Sequence, residues 1–332
     1  MAGDPLVSQF PCYFIMSQVL NTNTIHATAS AVTDALCNPG PVVQANNLQA
    51  GLLQRREELA IACWNVRTLL DIGSQSLTMR SLHQHGVDIA CLSEVRLPES
   101  GSRSIKVPGA NTNYFLYHSG PHDNSGLYGV AFALSKRAKS CLPEWDPVNS
   151  RLAYARFKGR LFNISIVSVY APTLNADDEI KDEFYNDLQY IMNRIPHRDL
   201  IVVAGDWNAR TGPCDHTTRH LMGRYGLGAR CYNGDRLLQF AERNHLVVTN
   251  TRFQHKRKHL ITWYSIDGRA TSQIDYILVN SRCISTVLDR REILRAETGN
   301  RAGSDHVPVR RRICLYLQSR RFMSRIKRLN MK

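Results

Sequence analysis

Several features that would assign the sequence to a common class of protein are missing from it. Its nine cysteines include no C-x-x-C pair, so neither a disulfide framework nor a zinc site is indicated. The odd count, with several cysteines inside apolar runs, predicts reduced thiols. The apolar stretch at residues 10–20 is interrupted and too short to span a bilayer. Residues 1–54 contain no Lys or Arg, which argues against a secretory signal and a mitochondrial transit peptide. We therefore expect an intracellular protein with no membrane partner.

Acidic residues are scarce relative to basic ones. The chain has 42 Lys and Arg against 28 Asp and Glu, a formal net charge of +14, and a pI near 9.6. Such a charge suggests a polyanionic partner, so we expect binding to DNA and a nuclear location; a merely basic protein is the alternative. Residues 310–332 contain nine Lys or Arg and no acid, which indicates either a solvated tail or contact with a phosphate backbone.

Composition divides the chain into three parts. Residues 1–57 are dominated by Asn, Thr, Ala and Gln with little periodicity, and we expect a disordered leader there. Residues 58–317 carry the apolar runs of one folded domain, and residues 318–332 are a basic C-terminal tail. With 43% hydrophobic residues, the chain has enough apolar material for a sizeable core.

Within the central part, short apolar runs alternate with amphipathic segments. The runs predict strands at 59–65, 88–93, 128–134, 153–157, 161–170, 200–204, 274–279 and 307–317. Helical spacing and capping signals predict helices at 76–85, 177–195 and 233–244. Lys158-Gly159 predicts a two-residue hairpin turn. Strand-rich halves with intervening helices favour a layered α/β sandwich over a purely parallel sheet.

Polar residues follow these runs and carry the candidate chemistry. Glu94 follows the run 89–92 and would project from a strand end, where a carboxylate is a suitable ligand for Mg²⁺. Asn65 also ends a strand, where its amide can orient a phosphate or support the ion. Asp206 and Asn208 lie two residues apart, so an extended segment presents both on one face. Taken alone, Glu94 is better explained as a surface acid and Asn65 as a turn residue.

An acidic–imidazole turn completes the series. Asp275 lies inside an apolar run, where a charge is unfavourable without a partner. His306 is the natural partner, because a carboxylate bonded to one ring nitrogen fixes the tautomer and favours the imidazolium. Asp305 is an additional candidate for contact with an ion or a water. Phosphodiester hydrolysis needs a Lewis acid, a base for water and stabilisation of the leaving oxygen, and this set predicts metal-assisted cleavage of that kind.

Together the motifs resemble those of the endonuclease/exonuclease/phosphatase superfamily over roughly residues 59–317. The resemblance rests on Trp64-Asn65, Ser93-Glu94, Tyr170-Ala171-Pro172, Gly205-Asp206-Trp207-Asn208, Ile274-Asp275 and Ser304-Asp305-His306. Segments 63–69, 205–212 and 273–278 are similar to the endonuclease domain of RTE-type non-LTR (LINE) retrotransposons and to craniofacial development protein 2-like proteins. The resemblance implies a four-layer α/β sandwich (DNase I-like) with two central mixed β-sheets flanked by helices.

The resemblance also implies a role for each matching residue. Glu94 would be the principal ligand of Mg²⁺, or of Mn²⁺, with Asn65 and Asp305 contributing to the metal and phosphate site. Asp206 would transfer the proton of the water or of the leaving group. Asn208 and Tyr170 would bind the phosphate. Asp275 and His306 would form an acid–imidazole dyad. We therefore expect a metal-dependent DNA endonuclease that nicks one strand and uses no small-molecule cofactor.

Two departures bear on the branch of the superfamily. The abasic-site repair branch has an acid where this chain has Arg67, and Asn where it has Thr173. Both weaken a dedicated abasic-site function and fit the retrotransposon branch. The alternatives are an abasic-site endonuclease, an exonuclease or a phosphomonoesterase of the same superfamily, and an inactive nucleic-acid-binding protein. Since no reverse-transcriptase sequence follows His306, we expect a stand-alone or truncated copy.

Basic and aromatic residues in the loops are candidates for DNA contact. Charge mixed with aromatic rings is typical of a nucleic-acid groove, and the candidates are Arg67, Arg210, Arg230, Lys256, Arg257 and Trp263. For Trp263, packing in the core is an equally good explanation.

Overall fold

The computed structural model describes residues 58–123, 125–159, 162–288, 296–298 and 303–314. The leader expected at residues 1–57 and the tail expected at 318–332 lie outside these described residues. Within them, no helix has the length and apolar character needed to cross a membrane.

The described residues form fifteen strands and four α-helices. The strands are β1 (Glu58–Asn65), β2 (Ile89–Ser93), β3 (Ser100–Lys106), β4 (Asn113–Ser119), β5 (Val130–Leu134), β6 (Glu144–Pro147), β7 (Leu152–Phe157), β8 (Ile164–Tyr170), β9 (Leu200–Asp206), β10 (Leu246–Val248), β11 (Trp263–Tyr264), β12 (Thr271–Ser272), β13 (Asp275–Asn280), β14 (Val287–Leu288) and β15 (Val309–Cys314). The helices are α1 (Ile72–Gln84), α2 (Lys136–Ser140), α3 (Asp178–Arg194) and α4 (Tyr232–Arg243). Three 3₁₀ turns lie at Thr249–Thr251, Arg257–His259 and Ser281–Thr286.

Two mixed sheets contain most of these strands. The first sheet has seven strands in the order β14-β15-β1-β2-β5-β4-β3, and the second has six in the order β10-β13-β9-β8-β7-β6. Each sheet contains one parallel pair, β1 with β2 and β8 with β9, and its other pairs are antiparallel. β11 and β12 form a separate two-stranded hairpin.

The sheets pack face to face over one apolar core. Strands β1 and β2 of the first sheet contact β9 and β8 of the second, and the layer between them includes fully buried Ile61, Phe132, Ile166 and Val202. The central strands of both sheets are covered on two faces, and they are correspondingly rich in β-branched and apolar residues.

Helices cover the outer faces of both sheets. Met79 and Leu82 of α1 pack on the outside of the first sheet. Leu188 of α3 and Leu237 of α4 pack on the outside of the second. The order helix, sheet, sheet, helix confirms the predicted four-layer sandwich with two central mixed sheets.

Most predicted elements are present, with boundaries that differ in places. α1 begins at Ile72, four residues before the predicted start, because the Asp71 side chain caps it by accepting a hydrogen bond from the Ser74 backbone amide at 2.8 Å. The two-residue turn predicted at Lys158-Gly159 is wrong: Phe157 pairs with Ile164, so residues 158–163 connect β7 and β8.

Candidate active site

The parallel pairs bring the predicted polar residues to one edge of the sandwich. Asn65 ends β1 beside Ser93, which ends β2 and precedes Glu94. Tyr170 ends β8 and pairs with Asp206 at the end of β9. Because the carboxyl ends of parallel strands lie at the same side of a sheet, these side chains meet where the two sheets face each other. This edge is called the catalytic edge below.

Asp275 and His306 form a buried pair at the catalytic edge. His306 Nδ1 lies 2.9 Å from Asp275 Oδ2, and both side chains are buried. The other ring nitrogen, Nε2, faces Asp206 Oδ2 at 3.9 Å. Asp275 is the cross-strand partner of Asp206, which explains why both carboxylates reach the same imidazole. The structure therefore brings together the three residues that the sequence placed far apart.

Electrostatics in this trio follow from burial and charge. Burial raises the pKa of Asp206 to about 7, helped by the charge of Asp275 and opposed by His306 and by hydrogen bonds. Burial alone would lower the pKa of His306, but the charges of Asp275 and Asp206 outweigh it and raise that pKa to about 9. At neutral pH the imidazole is thus a cation, and Asp206 can exchange a proton.

Glu94 accepts hydrogen bonds from three neighbouring side chains. Asn65 Nδ2 donates to Glu94 Oε1 at 2.9 Å, and the Tyr170 hydroxyl donates to the same oxygen at 2.8 Å. The Arg96 guanidinium binds Oε2 at 3.1 Å. Burial opposes ionisation of Glu94, but these hydrogen bonds outweigh burial and lower its pKa below the ordinary value. The carboxylate therefore stays charged at the catalytic edge.

Asn65 connects the glutamate to the aspartate. Its Nδ2 donates to Glu94 and also to Asp206 Oδ2 at 3.0 Å, while its Oδ1 accepts from the Arg67 backbone amide at 3.0 Å. In this orientation both amide hydrogens are engaged with carboxylates. Asn65 thus fixes the spacing of the two acids.

The turn before β15 is attached to the end of β1. The Ser304 hydroxyl donates to the Asn65 carbonyl at 2.6 Å and accepts from the His306 amide at 3.0 Å. The Trp64 indole donates to the His306 carbonyl at 3.0 Å. Asp305 accepts from the Trp263 indole at 3.1 Å and lies 3.7 Å from the Arg67 guanidinium. These bonds hold His306 in place from both sides.

Asn208 is held in a tight turn after β9. Its backbone has a φ of 46°, and its amide donates to Asp206 Oδ1 at 3.0 Å. One side-chain hydrogen is donated to the Ala171 carbonyl at 2.9 Å. Because an Asn side chain has two donor hydrogens, one remains for a ligand.

A cavity of about 340 Å³ opens at the catalytic edge. Five of the predicted chemical residues line it: Glu94, Tyr170, Asp206, Asn208, His306. Asp305 and the predicted contacts Arg67, Arg210 and Trp263 line it as well. Trp263 is only half-buried, so its ring faces this space rather than the core.

Three predicted DNA contacts do not line the cavity. Lys256 and Arg257 are exposed near a 3₁₀ turn. Arg230 donates from Nε to the Thr211 carbonyl at 3.0 Å and pairs with Asp215 at 3.1 Å, which stabilises the long loop after β9.

Two residues that contact the site were not predicted from the sequence. Arg96 was not predicted, although a basic residue two positions after Glu94 is the feature that could have indicated it. Arg151 was not predicted either; its guanidinium lies 5.3 Å from the Tyr170 ring centre and donates to the Tyr170 carbonyl at 3.3 Å. Arg151 acts on a residue 19 positions away in the sequence, so only the fold reveals its contact with Tyr170.

The donor set at this edge fits a hard divalent cation. Glu94 and Asp305 provide carboxylate oxygens of the kind that Mg²⁺ prefers, and hydrogen bonding keeps Glu94 ionised. The ligand atoms of Asp206, Asp275 and His306 also lie within 4.8 Å of one another. A protonated imidazole is a poor ligand, however, because metal binding requires the neutral ring. The residues that could hold such an ion are thus the carboxylates of Glu94 and Asp305, or the cluster of Asp206, Asp275 and His306 with its imidazole neutral.

The fold and the catalytic edge together define the DNase I-like class of α/β sandwich. Within that class, the profile of the Endonuclease/Exonuclease/phosphatase family matches residues 62–306. The chain belongs to this family, whose members are typically hydrolases that depend on a divalent metal ion.

Two relatives are named craniofacial development protein 2. The one from Tragulus javanicus is 31% identical over 302 residues, which cover 91% of this chain and 50% of the relative. The one from Bos taurus is 33% identical over 251 residues, covering 76% of this chain and 40% of the relative. The matched regions thus span half or less of the relatives' length.

Solved structures share the fold at low sequence identity. The endonuclease domain of TRAS1, a telomere-specific non-LTR retrotransposon, has a TM-score of 0.53 at 15% identity and covers 79% of this chain and 100% of that domain. An AP endonuclease from Archaeoglobus fulgidus has a TM-score of 0.53 at 20% identity, covering 76% and 98%. A 3′ phosphatase from Neisseria, bound to a product DNA hairpin, has a TM-score of 0.52 at 18% identity, covering 77% and 99%. At these identities the likeness establishes the fold.

Proposed function

We propose that the chain is a Mg²⁺- or Mn²⁺-dependent DNA endonuclease that nicks one strand. The observation that carries the proposal is the buried Asp275–His306 pair, which faces Asp206 across 3.9 Å at the floor of a cavity. Arginines on the cavity wall, Arg67 and Arg210, give it the charge that a phosphodiester requires.

Asp206 is the proposed proton acceptor. Its pKa of about 7 lies near neutral pH, where a general base works best. Asn65 and the Asn208 backbone amide each bind one oxygen of this carboxylate, so its orientation is fixed. Asp206 would take a proton from the attacking water, or return one to the leaving oxygen.

His306 is the proposed cationic partner of the phosphate. Asp275 holds Nδ1 and keeps the ring protonated, so Nε2 carries a positive N–H that faces Asp206 across 3.9 Å in the cavity lining, where a bound phosphate oxygen would reach it. Negative charge grows on the phosphoryl oxygens as the pentacovalent transition state forms, and a preorganised donor there lowers the barrier. Asn208 would bind a phosphate oxygen with its remaining amide hydrogen, and the Tyr170 ring would flank the phosphate.

The divalent ion would be held by Glu94 and Asp305, with Asn65 orienting Glu94. When bound, it would neutralise phosphate charge and polarise the P–O bond. Tyr170 and Arg96 fix the two oxygens of Glu94, so the carboxylate is positioned before any ligand arrives.

Nicking of a supercoiled plasmid in Mg²⁺ or Mn²⁺ tests the proposal. We expect EDTA to abolish nicking, and we expect His306→Ala and Glu94→Gln to lower the rate by at least about 100-fold. The matched controls are His197→Ala and Glu183→Gln, which change exposed residues of the same types outside the cavity. Unchanged nicking in the two site variants would refute the catalytic assignment.

The substrate preference can be measured with the same preparation. A duplex with an abasic site and a DNA with a 3′ phosphate represent the activities named for two of the structural neighbours. Because Arg67 and Thr173 depart from the abasic-site pattern, we expect nicking of intact DNA to exceed cleavage at the abasic site. A faster reaction on the abasic substrate would reverse this order.

Contact with DNA and a nuclear location are part of the proposal. If basic side chains contact the DNA phosphates, the nicking rate should fall as the salt concentration rises. The proposed contacts are Arg67, Arg210, Lys256 and Arg257. A nicking rate that does not change with salt would contradict them. A fluorescent fusion that stays out of the nucleus contradicts the location.

A further inference from the structure

Exposed apolar side chains are concentrated on loops and at the starts of helices. Among the described residues, nine large apolar or aromatic side chains are strongly exposed. Eight of the nine lie on loops or on the first turn of a helix, and the ninth, Tyr190, lies further along α3. The eight are Leu70, Ile72, Leu127, Tyr128, Leu174, Ile180, Tyr232 and Ile266.

Tyr128 is one of these eight residues, and its ring is held in a fixed stack. The Arg151 guanidinium lies over the Tyr128 ring at 4.0 Å from its centre. The Tyr170 ring is the next neighbour, with its centre 6.2 Å from that of Tyr128. Tyr128 is nevertheless 39% exposed. Arginine covers part of the ring, and the residue remains partly open to solvent next to cavity-lining Tyr170.

The backbone of Tyr128 has an unfavourable conformation that hydrogen bonds of the neighbouring residues hold in place. Tyr128 has a φ of 63°, a conformation that aromatic residues rarely adopt. The next residue, Gly129, has a φ of 89°, and its amide donates to the Ser150 carbonyl at 2.9 Å. The Tyr128 carbonyl accepts from the Arg96 amide at 2.9 Å, which ties it to the Glu94 segment. Strained residues fixed in this way cluster at functional sites.

We propose that Tyr128 is a stacking platform for an unpaired base next to the cleaved phosphodiester. The substrate class is therefore single-stranded or locally opened DNA. In a closed duplex the faces of the bases are hidden by stacking, whereas an unpaired base offers a face to an aromatic ring. This inference names the substrate class of the proposed nuclease and rests on that function.

The positions of the rings support the assignment. Tyr170 lines the cavity and donates a hydrogen bond to Glu94, and the Tyr128 ring lies next to the Tyr170 ring, with 6.2 Å between the ring centres. A phosphate in the cavity would thus place a neighbouring base near Tyr128. Arg151, between the two tyrosines, adds positive charge beneath the strand.

The chain provides a matched control for the platform. Tyr190 on α3 is 63% exposed and also lies under an arginine, with Arg194 at 5.6 Å from its ring centre. It does not line the cavity. Tyr190→Ala therefore removes an exposed arginine-stacked tyrosine without touching the proposed platform.

The test measures binding in EDTA, so its result does not depend on catalysis. Fluorescence anisotropy gives Kd for a single-stranded oligonucleotide and for the same sequence fully paired. We expect wild type to favour the single strand, and Tyr128→Ala to weaken that binding by about 5- to 150-fold, with the duplex changed by no more than about twofold. Tyr128→Phe, which keeps the ring, and Tyr190→Ala should bind as wild type does.

A second readout reports stacking directly. A fluorescent purine analogue beside the central phosphate should be quenched by wild type and by Tyr128→Phe but not by Tyr128→Ala. The proposal is overturned if Tyr128→Ala binds the single strand normally, if it loses affinity equally for both DNAs, or if wild type prefers the duplex. Because no metal is used, these results are separable from a failure of plasmid nicking, which would refute the nuclease alone.

Discussion

Replacing Asp275 with Asn should discharge His306 at neutral pH. The substitution keeps the shape of the side chain and its place in β13 but removes the negative charge 2.9 Å from Nδ1. Burial of His306 is unchanged, and burial lowers the pKa of an imidazole. With its main opposing charge gone, we expect the pKa of His306 to fall from about 9 to below its ordinary 6.5.

The magnitude follows from the geometry. Two unit charges 2.9 Å apart attract by about 6 kcal/mol at an effective dielectric constant of about 20. The rise of the His306 pKa from 6.5 to about 9 corresponds to about 3 kcal/mol, at about 1.4 kcal/mol per pH unit. The attraction to Asp275 is therefore larger than the free energy that corresponds to the observed pKa rise. The difference is of the size expected for the cost of desolvating a buried imidazolium.

The same pair makes stability depend on pH with a definite sign. Because the folded-state pKa is raised, the stabilisation by His306 is fully present below pH 6.5 and is lost as pH rises through about 9. Wild type should thus lose up to about 3 kcal/mol of unfolding free energy across this window through His306. In Asp275→Asn that loss should disappear.

Two-dimensional NMR of the His306 ring protons in EDTA measures the pKa, and urea unfolding at pH 6 and 9 measures the stability. Asp305→Asn is the control, because Asp305 makes the smallest contribution to the His306 pKa among the charges that raise it. We expect Asp305→Asn to leave the titration near 9. A wild-type ring that titrates at 6.5 or below, or an Asp275→Asn ring that still titrates near 9, would refute the reasoning.

Two further predictions concern the packing that positions the site. Gly205→Ala should lower the free energy of unfolding in urea by at least about 2 kcal/mol and displace Asp206, because the added Cβ would lie 1.9 Å from the Val169 carbonyl oxygen. A variant as stable as wild type would contradict this close approach. Asp199→Ala should cost about 3 kcal/mol, since it leaves Arg156 without the buried carboxylate it binds at 2.7 Å. Nicking at low temperature should survive this second change, and its loss would indicate a link to the site.

The sequence was sufficient for the central strands and for the chemical residues at their ends. Buried strands such as β2 and β9 are continuous apolar runs, and the polar residue after each run falls at the catalytic edge. Asp275 and His306 could be paired in advance because a charge inside an apolar run needs a partner. Their approach to Asp206 could not be predicted from the sequence, because it depends on the register of β13 with β9.

Elements at the margins of the sheets were harder to predict. β3 has the sequence SGSRSIK and is mostly exposed, since it lies at an edge of the first sheet and buries little. Its composition therefore resembles a loop. The stacking of Arg151 on Tyr128 also escaped prediction, because it depends on contacts between two loops that have no periodicity.

The pairing of β1 with β15 has a consequence for the architecture of longer proteins. Glu58 and Cys314 are cross-strand neighbours, so the described domain starts and finishes at one point of the first sheet. Asn65 lies at the opposite end of β1, about 23 Å away along an eight-residue strand. A domain with adjacent entry and exit points can be inserted into a host polypeptide as a cassette without being distorted. Further sequence would then be attached at the end of the sandwich that is remote from the cavity. This arrangement suits a relative such as the one from Tragulus javanicus, which is twice as long as the region it shares with this chain.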